Sequence, residues 1–191
     1  MAYYTAAELR AEAGLTASVS AEALRREARS TPERGRFDVF LSHSFNDAQV
    51  IYGLRRLLMA EGLTVYVDWI DDPLLDRSNV SAATARRLRT RMQQSSTLIY
   101  ATSRSASRSR WMPWELGYFD GARSAERISI VPIENHESGE FTGQEYLSLY
   151  KRLEKISVAG MPRPFAVDAS TKRGEPLSSF ATGAGRYVQL G

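Results

Sequence analysis

Glu115 is an isolated acidic residue in a long stretch of the chain that is rich in arginine and aromatic residues. From Arg77 to Phe119 it is the only aspartate or glutamate. Burial of a carboxylate is costly in free energy unless the group is paired or has a function. If the stretch is helical, Trp111 and Glu115 share one helix face, so an indole ring and a carboxylate can act on one ligand. Two interpretations stay open on this pattern: a functional carboxylate, or a structural one at a helix N-terminus beside a core arginine.

The composition is that of a globular chain and excludes several kinds of site. The chain has 191 residues, of which 43% are hydrophobic and 25% charged, enough for one domain with extensions. It has no cysteine and only two histidines, His43 and His136, so neither a disulfide framework nor a zinc centre is expected. The sequence contains neither a membrane-spanning apolar run nor a signal-peptide pattern. We therefore expect a cytoplasmic protein with no membrane partner and no resident metal or cofactor.

The positive charge of the chain is concentrated before Glu115. The net charge is only +3, yet eight arginines and no acid lie between Arg77 and Trp114. Such a region attracts an anion, which can be a pyrophosphate, a nucleic acid or an acidic partner. A solvated helix face is the plainer explanation. Nucleic acid is the least favoured of these partners, because aromatic residues are not interleaved with the arginines.

Strand-like and helix-like segments alternate through the middle of the chain. Short apolar runs predict buried strands at 37–42, 63–68, 96–101 and 127–133, with an edge strand at 156–159 or 165–168. Amphipathic or aromatic stretches predict helices at 48–61, 82–94, 111–121 and 144–155. This alternation indicates an α/β fold, a flavodoxin-like doubly wound parallel sheet of four to five strands.

The two ends of the chain are predicted to lie outside that sheet. Thr5 and Glu8 have the spacing of a capping box, which predicts a short helix that stops at Gly14, and Ser20 is expected to cap a second helix at 21–29. We divide the chain into an N-terminal helical extension (1–35), a domain (36–160), and a C-terminal edge segment and tail (161–191), with a loose tail from Thr171.

In a parallel sheet of this kind, ligands bind outside the carboxyl ends of the strands. The loops expected there are 43–47, 69–81, 102–110 and 134–143, and Glu115 follows the third of them. The chain lacks the glycine-rich dinucleotide turn, the P-loop and the Gly-x-Ser-x-Gly elbow. These absences argue against hydride transfer, P-loop nucleotide hydrolysis and a serine triad.

Two segments resemble the Toll/interleukin-1 receptor (TIR) domain family. Phe37-Asp-Val-Phe-Leu-Ser-His-Ser44, followed by Asp47, resembles the first-strand box of that family. Ser109-x-Trp111-x-x-x-Glu115-Leu116 resembles a pattern of its enzymatic members from bacteria and plants. The long loop, Asp71-Asp-Pro-Leu-Leu-Asp-Arg77, differs from the Arg-Asp-x-x-Pro-Gly of receptor adaptors, which argues against receptor-type signalling contacts.

The resemblance implies cleavage of the nicotinamide–ribosyl bond of NAD+, with NAD+ as a substrate and not a cofactor. The protein would then be an NAD+ glycohydrolase or ADP-ribosyl cyclase, yielding nicotinamide and ADP-ribose or a cyclic ADP-ribose-type signal, in anti-phage defence of the Thoeris kind. Nicotinamide leaves as a neutral molecule, so no general acid is required, and the transition state resembles an oxocarbenium ion. The carboxylate of Glu115 would stabilise that cation. A tryptophan at the position of Trp111 is associated with cyclisation in related enzymes.

The same resemblance and the expected crevice indicate which residues bind substrate. Trp111 and Phe45 are candidates for stacking, and His43 and Ser44 for the nicotinamide end. Arg77 and the arginines of 104–110 are candidates for the pyrophosphate, and Ser103 is assigned to the same substrate site.

Partners and alternatives remain open on the sequence. We expect a homo-oligomer or filament on activation and a downstream effector that senses the product. One alternative is a non-catalytic TIR interaction module that assembles through residues 1–35 and the surface around Arg86–Arg91. Another is an N-glycosidic enzyme similar to nucleoside deoxyribosyltransferases.

Overall fold

One twisted sheet connects almost every element of the chain. The computed structural model describes residues 2–14, 35–72, 75, 80–103, 106–134 and 144–190. Within these residues the strands are β1 (Tyr4–Thr5), β2 (Phe37–Ser42), β3 (Val65–Tyr66), β4 (Ser95–Thr102), β5 (Ile128–Glu134), β6 (Lys151–Val158), β7 (Met161–Asp168), β8 (Arg173–Pro176) and β9 (Val188–Gln189). The α-helices are α1 (Ala6–Glu12), α2 (Ala48–Ala60), α3 (Asp68–Asp71), α4 (Ala82–Gln93), α5 (Met112–Ala122) and α6 (Leu177–Thr182).

The first half of the sheet is parallel, as predicted. Its strand order is β3-β2-β4-β5-β6, and helices cover both faces. Along β4, Ile99 and Ala101 face the layer that contains α2, while Leu98 and Tyr100 face the layer that contains α4 and α5. Burial of both faces explains why these strands read as nearly continuous apolar runs. The α/β prediction is confirmed, although the described sheet has nine strands and not four to five.

The predicted helix at 144–155 is wrong. A short 3₁₀ helix, Glu145–Leu149, is followed directly by strand β6. β6 pairs in parallel with β5 and, through seven residue pairs, antiparallel with β7. The large side chains at 146, 149, 150 and 153 fit a helical spacing, but the pairing of β6 with β5 and β7 outweighs this local pattern. The two candidate edge strands at 156–159 and 165–168 are both occupied by this β6–β7 hairpin.

The expectation of a loose tail from Thr171 is also wrong, since β8 and β9 extend the sheet in antiparallel fashion and α6, between them, is packed with buried side chains. Lys151 donates hydrogen bonds to Glu175 and Tyr187, both at 3.1 Å, and Phe180 is buried beneath it. Burial lowers the pKa of Lys151, but its contacts with Glu126, Tyr187 and Glu175 outweigh burial and raise it overall. The composition of the tail carries no signal of this ion pair, whose two partners lie 24 residues apart.

The N-terminal residues pack on the domain. The capping box is present, with the Thr5 hydroxyl accepting from the backbone N–H of Glu8 at 3.1 Å and the Glu8 carboxylate accepting from that of Thr5 at 2.8 Å. β1 adds to β5 in parallel, and Leu9 on α1 is buried against α2 at Gly53. A Cβ on Gly53 would lie 1.7 Å from the carbonyl oxygen of Leu9, so the close approach of α1 requires glycine there. The second predicted helix, at 21–29, lies outside the described residues.

Membrane-spanning helices are absent from the described ranges, because none of the helices there has the length and apolar character to cross a bilayer.

Candidate active site

Glu115 is positioned by the start of helix α5. Pro113 occupies the first turn, where the missing N–H of proline is tolerated. The hydroxyl of Ser109 accepts a 3.3 Å hydrogen bond from the backbone N–H of Met112, and the backbone N–H of Glu115 donates to the carbonyl of Trp111 at 2.8 Å. These contacts direct the first turn of α5 towards the sheet. The side chain of Glu115 is 0% exposed.

The carboxylate of Glu115 lies against the carboxyl end of strand β2. The hydroxyl of Ser42, the last residue of that strand, donates a 2.6 Å hydrogen bond to Oε2 of Glu115. Ser42 is itself fully buried, and its neighbour in the sheet is Tyr100 of β4. Glu115 therefore lies at the carboxyl end of β2, the edge of the sheet where the sequence predicts a ligand crevice. Ser42 was not among the predicted site residues, although it belongs to the quoted first-strand box.

Tyr100 forms a second side of this site. Burial raises the pKa of its phenol well above the ordinary value, with smaller contributions from Tyr146 and from the negative charge of Glu115. The hydroxyl of Tyr146 donates to the side chain of Gln144, so in its hydrogen bond with Tyr146 the Tyr100 hydroxyl is the donor. Tyr146 is 39% exposed. Sequence reasoning missed both tyrosines as site residues, because Tyr100 reads as core and Tyr146 falls in the wrongly predicted helix.

His43 is held by the protein on both ring nitrogens. Its Nδ1–H donates to the carbonyl of Leu41 at 2.8 Å, and its Nε2 accepts the indole N–H of Trp69 at 2.9 Å. An indole N–H can only donate, so Nε2 carries no proton and the ring is neutral. The Asp68 carboxylate lies 3.3 Å from Nε2, a distance that would make an ion pair only with a protonated ring. His43 is buried, and these contacts anchor the first loop to the start of the long loop.

The other predicted loop residues lie in two connected segments. Ser44 is buried and precedes the 3₁₀ helix Phe45–Asp47. The backbone of Phe45 belongs to that helix, and its side chain lies outside the described part of the structure. Ser103 donates a 2.5 Å hydrogen bond to Asp47, which joins the loop after β4 to the loop after β2. The structure thus brings these two crevice loops together.

Trp111 lies directly before α5 and is largely covered. Only 6% of it is exposed, and it makes an edge-to-face contact with Trp114 at 5.4 Å between ring centroids. Trp114 in turn stacks with Tyr118 and lies under the guanidinium of Arg89. In this conformation Trp111 would have to be uncovered before it could stack on a ligand.

Two of the four arginines of α4, Arg87 and Arg91, are paired with Asp72, and the other two, Arg86 and Arg89, are exposed. Arg91 was expected to point mostly outward but is 1% exposed, with Nε 2.8 Å and Nη2 3.0 Å from the carboxylate of Asp72. Arg87 and the hydroxyl of Tyr66 also donate to Asp72. Burial raises the pKa of Asp72, but the hydrogen bonds from Arg91, Arg87 and Tyr66 outweigh it and lower the pKa overall. This cluster ties the long loop to α4.

The remaining arginine predictions concern two loops. Arg108 and Arg110 are exposed in the loop after β4, where contact with a pyrophosphate stays a prediction. Arg77 and Arg104 lie outside the described residues.

The arrangement around Glu115 is suited to stabilising a cation. Burial disfavours the charged form of a carboxylate, whereas a position in the first turn of a helix and a hydrogen bond from a hydroxyl both favour it, and Glu115 has both. In a site of low dielectric, such a charge acts strongly on a positive charge that develops next to it.

Comparison with known proteins gives a family match and two relatives. Residues 39–161 match the TIR domain family. A Bacillus cereus (strain MSX-D12) protein named "Probable 3' cyclic ADP-D-ribose synthase ThsB'" is 48% identical over 123 residues, 64% of this chain and 63% of that protein. A Cytobacillus dafuensis protein named "Putative cyclic ADP-D-ribose synthase TIR2" is 30% identical over 115 residues, 60% of this chain and 30% of that protein. The matched region is therefore less than two thirds of either relative. Because the family match covers more than half of its residues, this chain belongs to the TIR domain family.

Proposed function

We propose that this protein cleaves the nicotinamide–ribosyl bond of NAD+ and closes the remaining ADP-ribose into a cyclic product. The observation that carries the proposal is the buried carboxylate of Glu115 against Ser42, at the carboxyl ends of the parallel strands. The names of the two relatives support the same reaction class and favour a cyclic product over ADP-ribose.

The chemistry needs few protein groups. The electron pair of the C1′–N bond leaves with nicotinamide, which neutralises its pyridinium ring and leaves positive charge on the ribose. The carboxylate of Glu115 stabilises that charge. A hydroxyl of the same substrate then forms a bond to C1′ and loses its proton to the carboxylate or to water. If water attacks instead, the product is ADP-ribose, so exclusion of water by aromatic walls such as Trp111 favours cyclisation.

A direct test follows nicotinamide release and the mass of the second product. Purified wild type is incubated with NAD+ at increasing protein concentration, and in extract of phage-infected cells to supply a trigger. Glu115→Gln is the test variant, and Glu12→Gln, at an exposed acid on α1, is the matched control. We expect wild type and Glu12→Gln to release nicotinamide and a product one water lighter than ADP-ribose, and Glu115→Gln to form both at least about 100-fold more slowly. Equal rates for wild type and Glu115→Gln under activating conditions would contradict the proposal.

We further propose that the cyclic product is a signal in anti-phage defence of the Thoeris kind. It would form in the cytoplasm, after self-assembly of the protein, and be sensed by a separate effector. Plating efficiency of phage on cells that carry the wild-type or the Glu115→Gln gene, with the neighbouring genes present, tests this role.

A non-catalytic assembly role is the second candidate. The observation in its favour is the closed state of the site, in which Glu115 is fully buried and Trp111 is largely covered. If this role is correct, Glu115→Gln keeps the cellular phenotype, and substitutions on the surface abolish it.

A further inference from the structure

We propose that Ser42 is the positioning residue for Glu115, and that its hydroxyl sets the orientation of the carboxylate towards the reacting ribose. This inference rests on the proposed function of Glu115. It adds a specific second residue to the reaction, one that acts through Glu115 and need not touch the substrate.

The contact between the two side chains has the properties of a strong hydrogen bond. Its length of 2.6 Å falls in the range of hydroxyl–carboxylate bonds, about 2.5–2.7 Å. Both side chains are fully buried, so water cannot replace the hydroxyl if it is removed. The residues are 73 positions apart in the chain, so the contact depends on the fold and not on local structure.

Ser42 is the rigid partner of this pair. Its strand position is fixed by pairing with Tyr100, and Leu41 before it pairs with Ile99. His43 after it is fixed by hydrogen bonds to Leu41 and Trp69. Glu115, in contrast, has three side-chain torsions, so its carboxylate plane is the part of the pair that the hydrogen bond can orient.

The position of Ser42 would suit an apolar side chain. Ser42 lies two residues after Phe40 on β2, so both side chains are on the sheet face that packs against α4 and α5. Phe40 belongs to the apolar core on that face. A hydroxyl at such a position requires a partner. That partner is the carboxylate of Glu115.

Orientation of the carboxylate affects turnover more than substrate binding. A reacting group misplaced by about 1 Å can lower the rate about 100-fold. Affinity for NAD+ depends mainly on contacts with the parts of this large substrate that do not react. The hydrogen bond from Ser42 to Glu115 does not change those contacts. Loss of the Ser42 hydroxyl should therefore lower kcat and leave KM nearly unchanged.

The experiment compares wild type with five variants, one of which is Glu115→Gln alone, using the activated protein and NAD+. Ser42→Thr and Ser42→Val have nearly the same shape, and only threonine keeps the hydroxyl. Ser42→Ala removes the hydroxyl without added bulk, and Ser42→Ala combined with Glu115→Gln tests whether the two residues act together. We expect Ser42→Ala and Ser42→Val to lower kcat about 10- to 100-fold with KM within about 2-fold, and Ser42→Thr to recover most of the loss. Added to Glu115→Gln, Ser42→Ala should lower the residual rate less than about 2-fold.

The outcomes separate this inference from the proposed function. If wild type is active and Ser42→Ala keeps its kcat, or if Ser42→Thr and Ser42→Val are equally impaired with intact melting curves, the positioning role is wrong. The same follows if the losses from Ser42→Ala and Glu115→Gln multiply. If wild type releases no nicotinamide under any activating condition, the function proposed for Glu115 is wrong and the role of Ser42 falls with it.

Discussion

Two buried carboxylates, Asp72 at the end of α3 and Glu115 on α5, have different hydrogen-bond partners. Asp72 accepts five hydrogen bonds, four from the guanidinium groups of Arg87 and Arg91 and one from Tyr66. Glu115 accepts a hydrogen bond from the neutral hydroxyl of Ser42. Asp72 is thus paired with two cations, while the hydrogen bond from Ser42 to Glu115 comes from an uncharged group.

The difference indicates a separate use for each charge. Paired guanidinium groups satisfy Asp72 and hold the long loop on α4, which is a structural role. The Ser42 hydroxyl carries no charge, so its hydrogen bond does not itself neutralise the carboxylate of Glu115, and a carboxylate held in this way is suited to act on a cationic transition state. Loss of Asp72 should therefore affect stability, and loss of Glu115 should affect turnover.

The largest expected effect is the loss of turnover in Glu115→Gln. We expect nicotinamide release to fall at least about 100-fold, because the charge that faces the cation is removed. The free energy of unfolding should change by less than about 1 kcal/mol, since glutamine keeps the shape and can still accept from Ser42. Activity assays and urea denaturation of the same preparation measure both. If Glu115→Gln loses several kcal/mol of stability, Glu115 is a structural acid like Asp72 and the comparison fails.

Asp72→Asn should show the reverse pattern. Removal of the carboxylate leaves the buried guanidinium of Arg91 without its counter-charge, and we expect a loss of about 3 kcal/mol in the free energy of unfolding. Below the transition temperature, kcat should stay within about 3-fold of wild type. Arg87→Gln is the matched control: it removes the more exposed of the two guanidinium groups and should be milder. A stable Asp72→Asn with no activity would show that the long loop contributes to catalysis directly.

The pH dependence of the free energy of unfolding tests the structural role of Asp72. The pKa of Asp72 is lower in the folded protein than the ordinary value of 3.8, so its stabilisation is complete above that value. It is lost as the pH falls below 3.8 towards the folded-state pKa. The difference in free energy of unfolding between wild type and Asp72→Asn should therefore be constant from pH 5 to 7 and shrink below about pH 4. Urea denaturation across this range measures it, and a difference that grows in acid would contradict the assignment.

The elements that the sequence predicted correctly are those whose pattern lies within a few neighbouring residues of the chain. Apolar runs identify the parallel strands, and the spacing of Thr5 and Glu8 identifies the first helix. Strand β6 was missed because Leu153 continues a helical spacing set by Tyr146, Leu149 and Tyr150 before it, and only the pairing with β5 and β7 makes the segment a strand. The C-terminal strands were missed because the Lys151–Glu175 ion pair exists only after folding.

The candidate site shows the same limit. Glu115 was found because its charge is unusual among its sequence neighbours and its segment resembles a family pattern. Ser42 was missed as its partner because 73 residues separate them. Arg91 was assigned to the surface because the acid that holds it, Asp72, lies 19 residues earlier and beyond any helical spacing.

The smallest loss of turnover is expected from a substitution of Tyr100. Its size shows whether the catalytic site extends from Glu115 to this phenol. Its phenol has a raised pKa and stays protonated at neutral pH, so it donates to Tyr146 while its ring lies near Glu115. Tyr100→Phe removes one neutral hydrogen bond and leaves the Ser42–Glu115 contact in place, so kcat should fall only about 2- to 10-fold. Tyr118→Phe is the control, because its hydroxyl accepts from Gln93 at the surface and should not matter. If Tyr100→Phe lowers kcat as much as Glu115→Gln does, the phenol takes part in the reaction itself. The group to contrast with Asp72 would then be Glu115 together with Tyr100, and not Glu115 alone.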